Sequence, residues 1–268
     1  MGIKNKAINK VIIITGASSG IGRSLLFEAI KKNNYVAICS KTKENLSKLL
    51  EDLEKVGFNK NIYYEVLDVS NKASVNQFIK NVYSKFNKID ILINNAGISM
   101  NASFLDLDLK VIEQLMNVNF LGSIYFTKFA LPYIINSKGT IVFISSIAAS
   151  VPLPLRTGYC ASKAAINAFA NSLRLELKRY GVKVLLVMPG YTRSNIRFSA
   201  LTQDGTPNMK TDKNEEKLMS PDIVAKKTFD AIEKNKRTLI LTTEGILAYN
   251  FYKIIPSLLD KILIKKNE

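Results

Sequence analysis

The stretch Thr15-Gly16-Ala17-Ser18-Ser19-Gly20-Ile21-Gly22 decides how this chain folds. It follows the apolar run Val11–Ile14 and precedes a helix-like stretch from Ile21 to Lys32. A β-branched run that is apolar on both faces is typical of a central parallel strand. Glycines at its exit let the backbone turn sharply and approach a ligand, and the N–H groups of the following helix favour an anion there. The order strand, glycine turn, helix predicts a site for the pyrophosphate of a dinucleotide.

Strand-like and helix-like stretches alternate along the rest of the chain. The predicted strands are Val11–Ile14, Tyr35–Cys39, Ile62–Val66, Ile89–Ile93, Thr140–Ser145, Val182–Val187 and Thr238–Thr242. The predicted helices are Ile21–Lys32, Lys43–Val56, Ser74–Phe86, Leu109–Ile135, Gly158–Tyr180 and Ser220–Lys234. Each parallel neighbour requires a crossover connection, so this order predicts an α/β fold. We expect a single-domain, doubly wound (Rossmann) parallel sheet over residues 1–268, with helices on both faces.

Composition narrows the classes of chemistry. The 268 residues contain no histidine, which excludes a Ser/His/Asp triad and histidine-bound catalytic zinc. Cys39 and Cys160 lack metal-site spacing and fit a reducing, cytoplasmic setting, so we expect no metal. The apolar run after the lysine-rich N-terminus is too short for a signal peptide, and no uninterrupted apolar stretch reaches the ~18 residues of a membrane span.

The formal net charge of +16 comes from lysines scattered along the whole chain. Because they form no block with interleaved aromatic residues, a nucleic-acid groove is not expected. Two interpretations stay open. In the first, the lysines reflect only the amino-acid composition that is usual in the source organism. In the second, they also attract phosphate-bearing ligands or an anionic membrane surface.

Tyr159 and Lys163 are four residues apart in a predicted helix, so their side chains share a face. A neighbouring ammonium lowers the pKa of a phenol, which then exchanges a proton near neutral pH. This pair is common by chance. However, Ser145-Ser146, Asn94-Asn95-Ala96-Gly97 and Pro189-Gly190 all end predicted strands, at the carboxyl edge where open α/β sheets bind ligands. Taken singly, each has a structural interpretation as a strand end or as a partner for buried backbone groups.

As a set, the motifs T-G-x-x-x-G-x-G, N-N-A-G, Y-x-x-x-K and P-G resemble the short-chain dehydrogenase/reductase family, roughly over residues 10–195. Within it, the chain is most similar to the DHRS-type and 11β-hydroxysteroid-dehydrogenase-like carbonyl reductases. The resemblance implies hydride transfer between a nicotinamide cofactor and a carbonyl or secondary alcohol. The alternative is a cofactor-binding sensor or interaction protein with little turnover.

The resemblance assigns catalysis to Asn119, Ser146, Tyr159 and Lys163. Ser146 and Tyr159 contact the substrate oxygen, and Tyr159 donates the proton. Lys163 holds the nicotinamide ribose and lowers the pKa of Tyr159, and Asn119 anchors a water that relays protons to Lys163. Ser194 stands where the family often has threonine and keeps the hydroxyl. The cofactor contacts implied by the glycine turn and the resemblance are Gly16, Ser18, Ser19, Gly20, Ile21, Gly22, Ser40, Lys41, Asp68, Val69, Asn94, Ala96, Gly97, Tyr159, Lys163, Pro189, Gly190, Thr192 and Ser194.

The end of the second predicted strand indicates which cofactor is preferred. An NAD site normally places a carboxylate there, whereas this chain has Ser40-Lys41-Thr42-Lys43 with no acid before Glu44. We therefore expect NADP(H) in preference to NAD(H), and by resemblance Lys41 binds the 2′-phosphate. Arg23 either assists or has a surface role.

Two segments lie beyond these motifs. Residues Arg193–Met219 are polar and irregular, with little to bury, and predict a lid that orders on ligand binding. Residues Gly245–Lys266 are mostly apolar with interspersed lysines. This tail borders the substrate site or touches a membrane, or it packs on the protein's own core or a partner subunit. We expect an apolar steroid-, lipid- or keto-acyl-like substrate and, by resemblance, a homodimer or homotetramer.

Overall fold

The computed structural model describes residues 9–55, 57, 61–211 and 214–265, and its centre is one seven-stranded parallel sheet. The strands lie in the order β3-β2-β1-β4-β5-β6-β7, and the predicted fold class is confirmed. Their bounds are β1 Val11–Thr15, β2 Tyr35–Ser40, β3 Ile62–Val66, β4 Ile91–Asn94, β5 Thr140–Ile144, β6 Lys183–Met188 and β7 Thr238–Ile240.

Helices cross over between the strands and cover both faces of the sheet. Their bounds are α1 Gly20–Lys31, α2 Lys43–Lys55, α3 Lys72–Phe86, α4 Leu109–Leu115, α5 Gly122–Asn136, α6 Thr157–Leu177, α7 Pro221–Glu233, α8 Thr243–Ile254 and α9 Pro256–Lys265. The predicted end of the second helix at Val56 lies outside the described residues.

Strand β1 shows why the sheet is buried on both sides. Its alternate residues Ile12 and Ile14 pack into one apolar core with Leu25 of α1 and Phe229 of α7. Val11 and Ile13, on the other face, belong to a second core with residues from α3, α5 and α6. A strand apolar at every position is therefore required here, because each face meets a separate helical layer.

The strand order reverses next to β1. From β1 the chain proceeds through β2 to β3 on one side, and β4 starts the other half on the opposite side of β1. This arrangement leaves a crevice at the carboxyl ends of β1 and β4, where ligands of open α/β sheets bind.

The long helix predicted at Leu109–Ile135 is interrupted. Between α4 and α5, residues Met116–Leu121 form a wider π-helical turn. Counted through this turn, Leu109–Asn136 is the one helix of the described ranges with the length and composition to cross a membrane. In this structure 44% of its most apolar window is buried, and the core helix of a folded domain passes the same test.

The irregular segment 193–219 is mostly exposed, as its composition predicts, but a few of its residues are packed against the protein. Ala200, Leu201 and Arg197 are buried. Arg197 forms an ion pair with Glu215 at 2.7 Å. The segment is therefore anchored at several points, while residues 203 and 204 at its tip are exposed.

The apolar tail has two different faces. Leu259 and Leu263 pack against the second core, together with aromatic residues of α8. The opposite face is exposed and comprises Ile246, Leu247, Phe251, Ile254, Ile255, Leu258, Ile262 and Ile264. One face of the tail thus packs on the protein's own core, and the other is an exposed apolar surface. Lys266, at the predicted end of the tail, lies outside the described residues.

Candidate active site

The glycine turn between β1 and α1 has a backbone that side chains would obstruct. Gly16 and Gly20 have φ angles of +64° and +52°, in the left-handed region. A Cβ on Gly22 would lie 2.1 Å from the Gly16 carbonyl oxygen and 2.5 Å from Asn95 Nδ2. The turn therefore depends on glycine at these positions.

The N-terminus of α1 is prepared for an anion. Ser19 is the N-cap residue, but its side chain makes no capping hydrogen bond. The N–H groups of the first helical turn thus keep their donor capacity, and no acidic residue lies in that turn. With Ser18 and Ile21 beside the glycines, this cradle fits a dinucleotide pyrophosphate.

The N-N-A-G stretch after β4 holds the turn in place. Asn95 donates from Nδ2 to the carbonyl oxygens of Thr15 and Gly16, at 2.9 and 3.0 Å. The Thr15 hydroxyl accepts from the backbone N–H groups of Asn95 and Ala96. The Asn94 amide instead donates to Thr127 on α5 at 3.1 Å. Of the two asparagines, Asn95 is therefore the one whose side chain contacts the turn, and sequence reasoning did not assign it.

An ion pair joins β2 and β3 at the far end of the crevice. Lys41 Nζ lies 2.9 Å from an Asp68 carboxylate oxygen, and the Lys41 side chain is 66% exposed. Partial burial acts to raise the pKa of Asp68, but hydrogen bonds from Ser70 and Lys41 outweigh it and lower that pKa. Val69 follows Asp68 and lies against Gly122 of α5. Arg23 pairs with Asp52 at 2.9 Å, which supports its surface role.

The π-helical turn carries Asn119, which is buried. Its Oδ1 accepts from the Ile98 N–H at 2.8 Å, and its Nδ2 donates to the Ile98 carbonyl at 3.0 Å and to Ser162 Oγ at 2.8 Å. Both polar ends of the side chain are thus engaged with protein groups, and they fix the loop after Gly97 against α6. The role of Asn119 as the anchor of a water stays a prediction.

Ser146, Tyr159 and Lys163 come together beside this loop. Ser146 lies two residues after the end of β5, and its hydroxyl interacts with the Tyr159 phenol. Lys163, one turn after Tyr159, donates from Nζ to the Ile144 carbonyl at 2.9 Å. A Cβ on Gly97 would lie 3.3 Å from that Nζ, so Gly97 leaves room for the ammonium group. Ser146, just beyond the end of a strand, therefore joins Tyr159 and Lys163 of α6 in one cluster at the carboxyl edge.

The acid–base state of this cluster differs from expectation. Burial raises the pKa of Tyr159, and the Ser146 hydrogen bond, Arg156 and Arg197 oppose this only in part. Lys163 is not among the groups that lower it. Burial also lowers the pKa of Lys163 to about 8, because the charged ammonium is poorly solvated. Tyr159 is therefore held as a neutral phenol that is able to donate a proton.

The loop after β6 closes the crevice from the other side. The Pro189 carbonyl accepts from the Ile147 N–H at 3.1 Å, next to Ser146. The Thr192 hydroxyl donates to the Gly190 carbonyl at 3.2 Å, and a Cβ on Gly20 would meet the Ser194 side chain at 3.1 Å. Residues 189–194 thus connect two parts of the site. Ser194 lies against the glycine turn, and Pro189 contacts the residue next to Ser146.

The start of the apolar tail packs directly behind this loop. A Cβ on Gly190 would lie 2.4 Å from Thr242 Oγ1, and one on Gly245 would lie 1.9 Å from Ile147 Cδ1. Gly245 is buried as α8 begins. The tail therefore touches the segment that carries Ser146.

Comparison with known proteins agrees with these motifs. The family model described as short chain dehydrogenase matches residues 10–204. The chain belongs to the short-chain dehydrogenase/reductase family. As a member, it is an NAD(P)-dependent oxidoreductase.

Relatives place this short-chain dehydrogenase/reductase in the DHRS group. It is 35% identical to a Drosophila melanogaster protein named dehydrogenase/reductase SDR family protein 7-like, covering 98% of this chain and 82% of the relative. It is 39% identical to 11-beta-hydroxysteroid dehydrogenase-like 3 of Arabidopsis thaliana, covering 70% of this chain and 60% of the relative.

Solved short-chain dehydrogenase/reductase structures share the fold. A Burkholderia phymatum member in complex with NAD has a TM-score of 0.82 at 20% identity, over 95% of this chain and 96% of that one. A Burkholderia cenocepacia member in complex with NADP has a TM-score of 0.80 at 22% identity, over 96% and 98%.

Two cations at this short-chain dehydrogenase/reductase site were missed by sequence reasoning. Arg156 and Arg197 both act on the pKa of Tyr159. Arg156 lies three residues before Tyr159, a spacing visible in the sequence, whereas Arg197 reaches the site only through the folding of the 193–219 segment.

Proposed function

We propose that this enzyme transfers a hydride between NADP(H) and a carbonyl or secondary alcohol, with Tyr159 as the proton donor and acceptor. The observation that carries the proposal is the cluster of Ser146, Tyr159 and Lys163 beside the glycine turn. A neutral phenol held by a serine hydroxyl, next to a buried ammonium, suits acid catalysis on a carbonyl oxygen.

Each residue of the site has a separate role in the proposed reaction. The bound nicotinamide supplies or accepts the hydride. The Ser146 and Tyr159 hydroxyls hold the substrate oxygen, and Tyr159 Oη donates its proton as charge develops on that oxygen. Lys163 Nζ, now on the Ile144 carbonyl, orients the cofactor ribose. Asn119 keeps the Gly97 loop fixed against α6.

A screen for oxidation of NADPH tests the proposal against its alternative. Purified protein is assayed with steroid, retinoid, keto-acyl and quinone carbonyls. Turnover of at least one class supports the enzyme, and we expect an apolar substrate because Tyr159 packs against the apolar cluster of Met100, Val111, Leu115 and Leu201. Tight cofactor binding with no turnover of any class would favour a sensor or interaction protein.

We propose NADP(H) as the preferred cofactor because the end of β2 offers Ser40 and Lys41 in place of a carboxylate. Lys41 is exposed enough to exchange its Asp68 partner for a phosphate. Asp68 then remains for the adenine side of the cofactor. Lysine binds phosphate as a point charge without the bidentate fork of arginine, so the preference is moderate.

Lys41→Ala should lower kcat/KM for NADPH by tens-fold and leave kcat/KM for NADH nearly unchanged. A charge-assisted contact to phosphate contributes about 1.5–3 kcal/mol, which corresponds to that factor. Lys43→Ala is the matched control, since it removes an exposed lysine at the start of α2. Equal kcat/KM values for both cofactors in the wild type, or an unchanged preference in Lys41→Ala, would contradict the assignment.

We also propose that the exposed tip of the 193–219 segment acts as a lid over the crevice. Its anchors at Arg197 and Leu201 give it a fixed base. The tip is held together by hydrogen bonds around Asp204, and the Gln203 carbonyl accepts from the Asp108 N–H at 2.9 Å, so this bond is the one that a moving tip would break. Hydrogen exchange of residues 202–211 should slow when cofactor and substrate are both bound. Unchanged exchange would identify an inert surface loop.

For the tail, we propose peripheral contact with an anionic membrane. The exposed apolar face of α8 and α9 lies beside Lys253 and Lys261, which suits an interface of acyl chains and acidic head groups. The two cysteines are free, which fits a cytoplasmic location at such a surface. A homodimer or homotetramer is also proposed, because similar proteins often assemble through their long helices.

The full-length protein should float with vesicles that contain phosphatidylserine. The double variant Leu258→Asp and Ile262→Asp should lose this flotation, because both side chains are exposed and neither is needed for the core. Leu175→Asp changes an exposed apolar residue of α6, outside the tail, in the same way; it is the control and should float normally. Absence of wild-type flotation would leave the uncovered face to a partner subunit.

A further inference from the structure

A cavity of about 330 Å³ lies between the Arg156 end of α6 and the 193–219 segment. Every described residue that lines it is polar, and three of these are cationic: Asn101, Arg156, Arg197, Asn208, Lys210 and Thr211. The cavity therefore offers cationic and amide groups to a ligand.

The positive charges of this cavity are only partly balanced. Arg197 is paired with Glu215 and also donates to the Thr192 carbonyl at 3.0 Å. Arg156 donates from Nη1 only to neutral oxygens, Ser99 Oγ at 2.8 Å and the Met100 carbonyl at 2.7 Å. Across residues 9–55, 57, 61–211 and 214–265, neither Arg156 nor Lys210 has a carboxylate within 4.0 Å. The lining thus carries an excess of two positive charges.

The cavity is next to the reacting phenol. Arg156 is the residue that caps α6, three positions before Tyr159. Both guanidinium groups of the cavity act on the pKa of Tyr159. Met100, whose carbonyl accepts from Arg156, belongs to the apolar cluster on which Tyr159 packs. A molecule with its carbonyl at Tyr159 therefore has this cationic cavity within reach.

We propose that the cavity binds an anionic group, a carboxylate or a phosphate, carried by the carbonyl substrate itself. This inference rests on the proposed function and specifies its substrate class: a ketone or aldehyde with one anionic end. Arg156 and Lys210 supply the charge, and the side-chain amides of Asn101 and Asn208 supply further donors. Glu215 neutralises Arg197 and fixes its guanidinium, so that Arg197 shapes the cavity wall.

Matched carbonyl pairs, each with one anionic and one neutral member, test this inference. The pairs are acetoacetate with methyl acetoacetate, levulinate with methyl levulinate, and hydroxyacetone phosphate with hydroxyacetone. In the wild type, kcat/KM for the anionic member should exceed that of its neutral partner by about ten-fold or more at low salt, and added salt should reduce this ratio. The first two pairs report on a carboxylate and the third on a phosphate.

Lys210→Glu should reduce the anion-to-neutral ratio by about ten-fold or more, because it reverses one unpaired charge. Lys178→Glu makes the same change at an exposed site after α6 and should leave the ratio as in the wild type. A wild-type ratio of anionic to neutral kcat/KM near one for all pairs would overturn the inference, and so would an unchanged ratio in Lys210→Glu. Turnover of the neutral carbonyls would still support the proposed function in either case.

A binding measurement distinguishes a failure of this inference from a failure of the proposed function. The Tm is measured with NADP⁺ present, with and without levulinate or hydroxyacetone phosphate. Stabilisation by the anions but not by their neutral partners, lost in Lys210→Glu, supports the cavity even if no carbonyl is reduced. Equal stabilisation by both members overturns it.

Discussion

Tyr159→Phe is expected to abolish turnover while leaving cofactor binding nearly intact. The change removes one hydroxyl and keeps the ring that packs on the Met100 cluster. General acid catalysis contributes about 10²–10⁴-fold, and loss of a hydrogen bond to the substrate oxygen adds to it. The Ser146 hydroxyl remains, but it lacks the neutral phenol as a proton source.

The measurement is kcat with the best carbonyl from the screen, together with the Kd for NADPH. Tyr180→Phe serves as control, because it removes an exposed phenol beyond the end of α6. A Tyr159→Phe variant that keeps more than about a tenth of the wild-type rate would contradict the mechanism.

Gly22→Ala should weaken cofactor binding by about a hundred-fold and lower the free energy of unfolding by about 1–3 kcal/mol. The new Cβ would stand 2.1 Å from the Gly16 carbonyl oxygen, so the backbone has to move. Movement of Gly16 breaks its contact with Asn95 and widens the cradle that meets the pyrophosphate.

Isothermal titration with NADPH and urea unfolding measure the two effects. Gly181→Ala is the control, since Gly181 has φ +72° at the opposite end of α6, where alanine costs stability through backbone strain alone. We expect Gly181→Ala to be destabilised with normal cofactor affinity. Normal affinity in Gly22→Ala as well would mean that the turn tolerates a side chain and does not define the site.

Much of the fold is readable from local sequence. The mostly apolar, fully buried strands β1 and β5 and the glycine exit at Gly16 specify parallel strands with helices on both faces. The N-cap at Ser220 with Pro221 fixes the start of α7, and the structure confirms it. Such signals are local, because they depend on backbone preferences and on burial of adjacent residues.

The missing parts depend on contacts between distant residues. The π-helical turn has no sequence signature. It accompanies hydrogen bonds from Asn119 to Ile98 and Ser162, which are distant from Asn119 in the sequence. The raised pKa of Tyr159 results from burial, which the Y-x-x-x-K spacing does not reveal. Likewise, Arg197 lies near the Arg156 end of α6 because its ion pair with Glu215 and the burial of Leu201 anchor the 193–219 segment.

The contact between Gly245 and Ile147 links two regions that are far apart in sequence. Ile147 follows Ser146, and its side chain leaves no space at Gly245 in the first turn of α8. A shift of α8 towards the sheet, whether imposed by lipid or by another subunit, would therefore displace Ile147 and, through the chain, its neighbour Ser146. A change in kcat when vesicles are added is the expected sign of this contact.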